Sequence, residues 1–291
     1  MRGISVISSL AALVLLSPCA YSQSADVVYK NGKIYTVNDS LNWAQAMAIR
    51  DGKFIHVGSM EEMETFITPA TEVIDLKGRM VMPGINDLHA HPLVAGQQEL
   101  LECGFPITQP IEEIVKTLQN CANRTPSGDW IRGSRWPVEF LQTDTVPEKS
   151  ILDEVTTDHP LYVQTALGAL FNSRALEALG ITRASSAVGN GLVHKDDNSE
   201  PTGLLHGAAA RDALARVPPY SDSQNTDALR WAILELNKVG VTSAKDALVH
   251  EYGLRAYKTL DESGQLTVKI ASSLAWKHYR LDATDEEKES I

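Results

Sequence analysis

Residues 80–91, MVMPGINDLHAH, decide how this chain is interpreted. A short apolar strand turns at Pro83-Gly84 and leads into Asp87-x-His89-x-His91. In an extended backbone, side chains two residues apart point to the same face, so His89 and His91 project together from one strand end. Neutral imidazoles bind zinc and related ions at about 2.0–2.1 Å, so the pair supplies two metal ligands. The alternative is a pair of surface histidines at a strand–loop junction.

The preceding strand and turn favour the metal interpretation, because catalytic ligands sit at the C-terminal ends of parallel strands.

The chain has 291 residues, 43% hydrophobic and 22% charged, which predicts a packed core in one or two domains. A formal net charge of −11 argues against nucleic acid or an anionic membrane as the main partner.

The first 22 residues resemble an export signal. Arg2 provides the positive start, residues 4–16 form an apolar run, and Ala20-Tyr21-Ser22 fits a small-x-small cleavage site. The run is too short for a comfortable membrane span, and a lipid anchor at Cys19 is disfavoured because Pro18 precedes it. We therefore expect a mature chain without a stable membrane anchor, exported to the periplasm or the extracellular space.

The mature chain would retain Cys103 and Cys121. In an oxidising compartment the two can pair, whereas the alternative is two unpaired buried thiols. The sequence does not choose between these states.

Residues 26–80 carry a β pattern. Asn31-Gly32 and Asp51-Gly52 each separate two β-prone runs, which predicts two hairpins in a small antiparallel sheet. Ser59 to Ile67 is predicted as a short helix with Ser59 as its cap and Glu62 three residues on. His56 alternates with apolar neighbours, so we interpret it as a sheet residue.

Several stretches in this order resemble the start of the metal-dependent amidohydrolase superfamily: NGKIYTV (31–37), AMAIRDGKFIHVG (46–58) and VIDLKGRMVMPGINDLHAH (73–91). Later stretches are similar to its amidohydrolase-3 branch: DWIRGSRW (129–136), ILDEVTTDHPLYVQTALGALFNSRALEALGI (151–181), EPTGLL (200–205) and KVGVTSAKDAL (238–248). The resemblance implies an α/β chain, with a partial β-sandwich at 23–79 and an incomplete TIM (β/α) barrel at 80–291. About three of eight barrel strands are expected, with a long insertion at about 98–225 after the first.

The resemblance also implies the chemistry. His89 and His91 would hold a divalent metal, with zinc expected and one or two ions in a complete enzyme, while Asp87 would orient a ligand. The activity would be hydrolysis of non-peptide C–N bonds in a small molecule by metal-activated water. The family's proton-shuttling aspartate is expected beyond residue 291, so the chain resembles an N-terminal half, with a complementing second half or an oligomer as macromolecular partner. The alternative is a truncated, non-catalytic remnant that binds no metal tightly.

Two positions depart from the family pattern. Ala166-Leu167-Gly168-Ala169 replaces a usual Gly-His, and His206-Gly207 stands where relatives tend to have a glutamate. The family's usual substrate contacts therefore do not transfer to these positions.

Other candidate ligands are weaker. Lys245 and Asp246 end the second predicted barrel strand, but the superfamily's metal-bridging lysine comes from its fourth strand, so we do not expect Lys245 to bind metal. Structural or solvated roles are expected for three loop histidines: His159, His194 and His206. His250 and His278 follow strand ends, and a ligand role for either stays open.

Overall fold

Two units divide the chain, residues 1–83 and 84–291, in the computed structural model. The structure describes residues 24–106, 108–134, 136, 148–166, 168–186 and 190–275. The predicted export signal and His278 lie outside these ranges. Across the described ranges, no helix combines the length and apolar character needed to cross a membrane.

The first unit contains two small sheets. Its strands are β1 (Val27–Lys30), β2 (Lys33–Tyr35), β3 (Trp43–Ala44), β4 (Ala46–Arg50), β5 (Lys53–Gly58), β6 (Glu72–Asp75) and β7 (Met80–Val81). One sheet has the order β5-β4-β1-β6 and the other β3-β2-β7. Both are mixed rather than antiparallel as predicted, because β6 runs parallel to β1 and β7 parallel to β2.

One of the two predicted hairpins is confirmed. Asp51 and Gly52 both have positive φ, and β4 pairs with β5 in antiparallel register. The hairpin predicted at Asn31-Gly32 is wrong, because β1 pairs with β4 and β6 while β2 pairs with β3 and β7. Only Asn31 takes positive φ there, whereas a tight hairpin of this type needs both central residues in that region.

The predicted short helix in this unit is confirmed. It consists of α1 (Met60–Met63) followed by a 3₁₀ turn at Glu64–Phe66. The Ser59 backbone N–H donates to Glu62 Oε2 at 2.6 Å, which is the capping contact that the sequence indicated. Met63 is buried among Ala25, Val28 and Ala46 in the core of this sheet.

The second unit begins with β8 (Ile85–Ala90) and continues with α2 (Pro92–Leu101), α3 (Ile111–Ala122), β9 (Ile131–Gly133), α4 (Lys149–Asp153), β10 (Leu161–Gln164), β11 (Gly168–Phe171), α5 (Ser173–Ala178), β12 (Leu192–Lys195), β13 (Pro201–His206), α6 (Gly207–Ala215), α7 (Asp222–Lys238), β14 (Val241–Val249), α8 (Glu251–Glu262) and β15 (Lys269–Leu274). The mixed α/β class is therefore as predicted.

Three of these strands form a parallel sheet in the order β15-β14-β8. The helices that precede and follow β14 bury their apolar faces against it, with Leu229 and Ile233 of α7 and Leu260 of α8 almost fully buried. Helix α7 begins at Asp222, because the Ser221 hydroxyl accepts from the Gln224 backbone N–H and caps it. Strand β15 begins at Lys269, and the N–H of Leu266 before it donates to the Leu260 carbonyl at the end of α8.

A separate five-stranded sheet, in the order β12-β13-β11-β10-β9, lies within the predicted insertion. Strands β9 and β10 are parallel and the remaining pairs are antiparallel. Apolar side chains cover both faces, Phe171 and Leu205 in one cluster and Leu161 and Leu170 in the other. A disulfide joins Cys103, which follows α2, to Cys121 of α3, so the cysteines pair.

Candidate metal centre

The two histidines of the opening motif lie at the C-terminal end of β8. His89 belongs to the strand, and His91 is the residue immediately before α2, where Pro92 takes the first helical position. Their ring centroids are 5.2 Å apart with planes at 88°. Two imidazoles bound to one tetrahedral ion through bonds of 2.0–2.1 Å place their centroids roughly 5 Å apart. The separation therefore fits two ligands of one ion.

Asp87 acts on the backbone of this motif. Its Oδ1 accepts a hydrogen bond from the His89 backbone N–H at 3.0 Å. The carboxylate therefore fixes the chain that carries the imidazole, and its contact with the histidine pair is through the main chain.

A second acidic residue reaches the pair from the neighbouring strand. Asp246 of β14 lies opposite Ala90 in the parallel register and is only 3% exposed. Its Oδ1 is 3.7 Å from His91 Nδ1, and its Oδ2 accepts from the Tyr257 hydroxyl at 2.8 Å. Burial, together with the Asp246 charge, raises the pKa of Tyr257, so this phenol stays a donor. Asp246 is thus an anchored carboxylate facing one imidazole of the pair.

The sequence feature that identifies Asp246 as a candidate site residue is its position near the end of the second parallel strand. Its contact with His91 depends on the register between β14 and β8, which the sequence analysis did not predict. Lys245, its neighbour in sequence, is exposed and lies on the opposite face of the strand, since consecutive side chains alternate.

The remaining histidines occupy other environments. His159 is buried, and its Nδ1 lies 3.0 Å from the Asp129 carbonyl oxygen. His194 Nε2 and His206 Nδ1 are 3.0 Å apart across the β12–β13 hairpin, and burial lowers the pKa of both imidazoles. His250 is the residue immediately before α8, where its side chain makes no capping hydrogen bond, and its ring stacks on Tyr252. Within the part of the chain that the structure describes, no cluster of three or more His, Cys, Asp or Glu side chains is arranged to hold a metal.

Sequence comparison places most of the chain in one family. The model of the amidohydrolase family matches residues 72–289. N-substituted formamide deformylase of Arthrobacter pascens is 27% identical, with 89% of this chain aligned to 49% of that protein. The protein LONG AFTER FAR-RED 3 of Arabidopsis thaliana is 29% identical over 88% of this chain and 41% of its own length. YtcJ of Bacillus subtilis strain 168 is also 29% identical, over 82% of this chain and 46% of its own. The chain thus spans about half the length of the curated relatives it matches.

Solved structures show the same fold. An uncharacterized metal-dependent hydrolase from Pyrococcus horikoshii aligns with a TM-score of 0.64 and 24% identity, over 85% of this chain and 48% of that one. A second, from Pyrococcus furiosus, aligns with a TM-score of 0.61 and 22% identity, over 85% and 50% of the two chains. The chain belongs to the amidohydrolase family.

Proposed function

We propose that this chain forms part of a metal-dependent hydrolase that cleaves non-peptide C–N bonds in small molecules, with His89 and His91 as two of the metal's ligands. The observation that carries the proposal is the pair of adjacent imidazoles at the end of β8, spaced as two ligands of one ion are spaced. Membership of the amidohydrolase family supports the reaction class.

The proposed architecture follows the family resemblance. Strands β8, β14 and β15 are parallel, adjacent and separated by helices, which is how the first strands of a TIM barrel are arranged. We assign them as the first three barrel strands, with residues 98–225 as the insertion after the first. The sheets at residues 23–79 would be the partial β-sandwich.

Residues near the end of β8 divide into proposed metal ligands and residues that position those ligands. His89 and His91 would bind a divalent ion through neutral nitrogens, and zinc suits such imidazole donors. When bound, that ion supplies the chemistry of the site by lowering the pKa of water from 15.7 to about 7. Asp246 holds His91 in orientation, Tyr257 holds Asp246, and Asp87 holds the His89 backbone.

Export of the mature chain is part of the proposal. The Cys103–Cys121 bond supports it, since disulfides persist in oxidising compartments and are rare in the cytosol. The short apolar run at residues 4–16 supports it independently.

A second candidate is a non-catalytic chain that binds no metal tightly. One observation favours it: the described ranges bring no third ligand-type side chain into a metal-binding cluster with the histidine pair. Metal analysis of the purified chain separates the two candidates, because near-stoichiometric divalent metal supports the hydrolase and its absence supports the non-catalytic chain.

The ligand assignment is tested by His89→Ala and His91→Ala. Each should weaken metal binding by more than the roughly 10–100-fold that loss of a partner outside the ligand set costs. Binding is measured by competition with a chromophoric chelator, and His56→Ala, in the first unit, serves as the control. Full metal affinity in His89→Ala would reject the assignment.

A further inference from the structure

The second unit contains a cavity whose polar groups have no role in the proposed hydrolysis. Its volume is about 470 Å³, within the range of 300–1,000 Å³ that small-molecule sites occupy. It is lined by the end of α2, by β9 and β10, by the loop before α7 and by the start of α8. The residues that matter are Glu102, Arg132, Tyr162, Tyr220, His250 and Tyr252.

The carboxyl group of Glu102 accepts fewer hydrogen bonds than its two oxygens allow. The Tyr220 hydroxyl donates to its Oε1 over a long 3.4 Å, and its buried Oε2 has no hydrogen-bond partner among the described residues. A buried acceptor without a donor is unfavourable, because it has lost its hydrogen bonds to water. Burial raises the pKa of Glu102 to about 7, against the smaller lowering by Tyr220 and Arg132.

The nearby cation is already engaged elsewhere. The Arg132 guanidinium carbon lies 4.3 Å from the centroid of the Tyr220 ring, and Arg132 donates to the Pro218 carbonyl at 2.5 Å. In the described part of the chain it forms no ion pair with Glu102. The charge of Glu102 therefore lacks a close positive partner inside an aromatic cavity.

We propose that this cavity binds a small planar organic cation, a protonated amine or amidine, whose N–H groups donate to Glu102 while its body packs against the tyrosine rings. Cationic donors form the stronger class of hydrogen bond with a carboxylate, and aromatic faces attract positive charge. The Glu102 carboxylate would repel an anionic ligand. A neutral ligand would leave the negative charge of Glu102 without a compensating positive charge. His89, His91 and Asp246 are not among the residues that line this cavity.

The test uses three probes of matched planar shape: benzamidine, benzamide and benzoate, which are cationic, neutral and anionic. Calorimetric titration at pH 8 should show benzamidine binding at least about tenfold more tightly than benzamide, with benzoate the weakest. Equal affinity for benzamidine and benzamide would overturn the proposal.

Variants locate the site. Glu102→Gln keeps the shape of the side chain and removes its charge, so benzamidine affinity should fall about tenfold or more while benzamide affinity stays unchanged. Glu99→Gln, at an exposed position of α2 three residues before Glu102, is the matched control. Benzamidine binding retained in Glu102→Gln would overturn the proposal, whereas binding retained in His89→Ala is expected and separates this site from the proposed metal centre.

A pH series provides a readout that does not depend on Glu102→Gln. Benzamidine affinity should rise from about pH 6 to pH 8 as Glu102 ionises, because its pKa is about 7. The rise is assigned to Glu102 and not to the other titratable groups that line the cavity, which are Arg132, Tyr162, Tyr220, His250 and Tyr252. His250→Gln should therefore keep the rise, and Tyr220→Phe should shift it to higher pH by removing a donor that lowers the Glu102 pKa. A flat profile in the wild type would contradict the proposal.

Discussion

At the scale of single residues, the site depends on side chains that lie far apart in the sequence. Asp246 is 155 positions from His91, yet its buried carboxylate faces that imidazole and is fixed by Tyr257. Carboxylates that orient a metal-binding histidine raise its basicity and hold its ring. The opening motif therefore depends on a residue of a neighbouring strand for its geometry.

Asp246→Asn tests this dependence. The amide keeps the size of the side chain but removes the negative charge facing His91, so we expect metal affinity to fall about 10–100-fold. Competition titration with a chelator measures the change, and Asp261→Asn on α8 is the control. Unchanged affinity would show that Asp246 does not position His91.

Asn172 is a second residue whose role is set by its contacts. It is fully buried, and its Oδ1 accepts from the backbone N–H groups of Leu161 and Ala175 at 3.0 and 2.8 Å. Its Nδ2 donates to the carbonyls of Thr156 and His159 at 3.2 and 3.0 Å. One side chain thus caps α5 and ties it to the start of β10.

Asn172→Ala should lower the free energy of unfolding by about 2–4 kcal/mol, since the change removes a helix cap and leaves several buried backbone groups unpaired. Urea denaturation followed by circular dichroism measures the loss. Asn120→Ala, at an exposed position of α3, should stay within about 0.5 kcal/mol of the wild type. Similar stabilities for the two variants would contradict the role given to Asn172.

At the scale of elements, the packing of α2 against α7 sets where the histidine motif can lie. Helix α2 starts directly after His91, and Gly96 approaches α7 so closely that an added Cβ would lie 1.9 Å from the Ala228 carbonyl oxygen. Only a residue without a side chain allows this contact between the helices.

Gly96→Ala should therefore force α2 away from α7 and destabilise the second unit by about 1–3 kcal/mol. Because α2 follows His91 without a linker, we also expect weaker metal binding. Thermal unfolding and chelator competition measure the two effects, and Ala95→Ser, at the exposed neighbouring position, is the control. A variant as stable as the wild type would show that the helix pair adapts without cost.

At the scale of the whole molecule, the disulfide stabilises the second unit by constraining its unfolded chain. Cys103 and Cys121 are 18 positions apart, and closing a loop of that length contributes about 3 kcal/mol in the chain-entropy account. The bond links the segment after α2 to α3, beside the five-stranded sheet.

Reduction of the wild type, or replacement of both cysteines by serine, should lower the free energy of unfolding by about 3 kcal/mol. Denaturation with and without a reductant measures the difference. The double serine variant should be insensitive to the reductant, and a wild type equally insensitive would contradict the stabilising role of the bond.

The sequence by itself determined the features that rest on local chemistry. It placed the capped helix after Ser59, the tight turn at Asp51-Gly52 and the strand that ends in the His89–His91 motif, because caps, positive φ and side-chain alternation depend on a few adjacent residues. Its resemblance to the amidohydrolases was equally visible in short stretches of residues.

Only the tertiary structure decided which strands pair and which distant side chains meet. It separated β1 from β2 despite Asn31-Gly32, joined Cys103 to Cys121, brought Asp246 to His91 and left Glu102 Oε2 without a hydrogen-bond partner in the described part of the chain. These outcomes depend on sheet register and on burial, which are set by contacts across the whole unit. Local residue patterns do not encode them, because each contact satisfies groups that lie tens of positions apart.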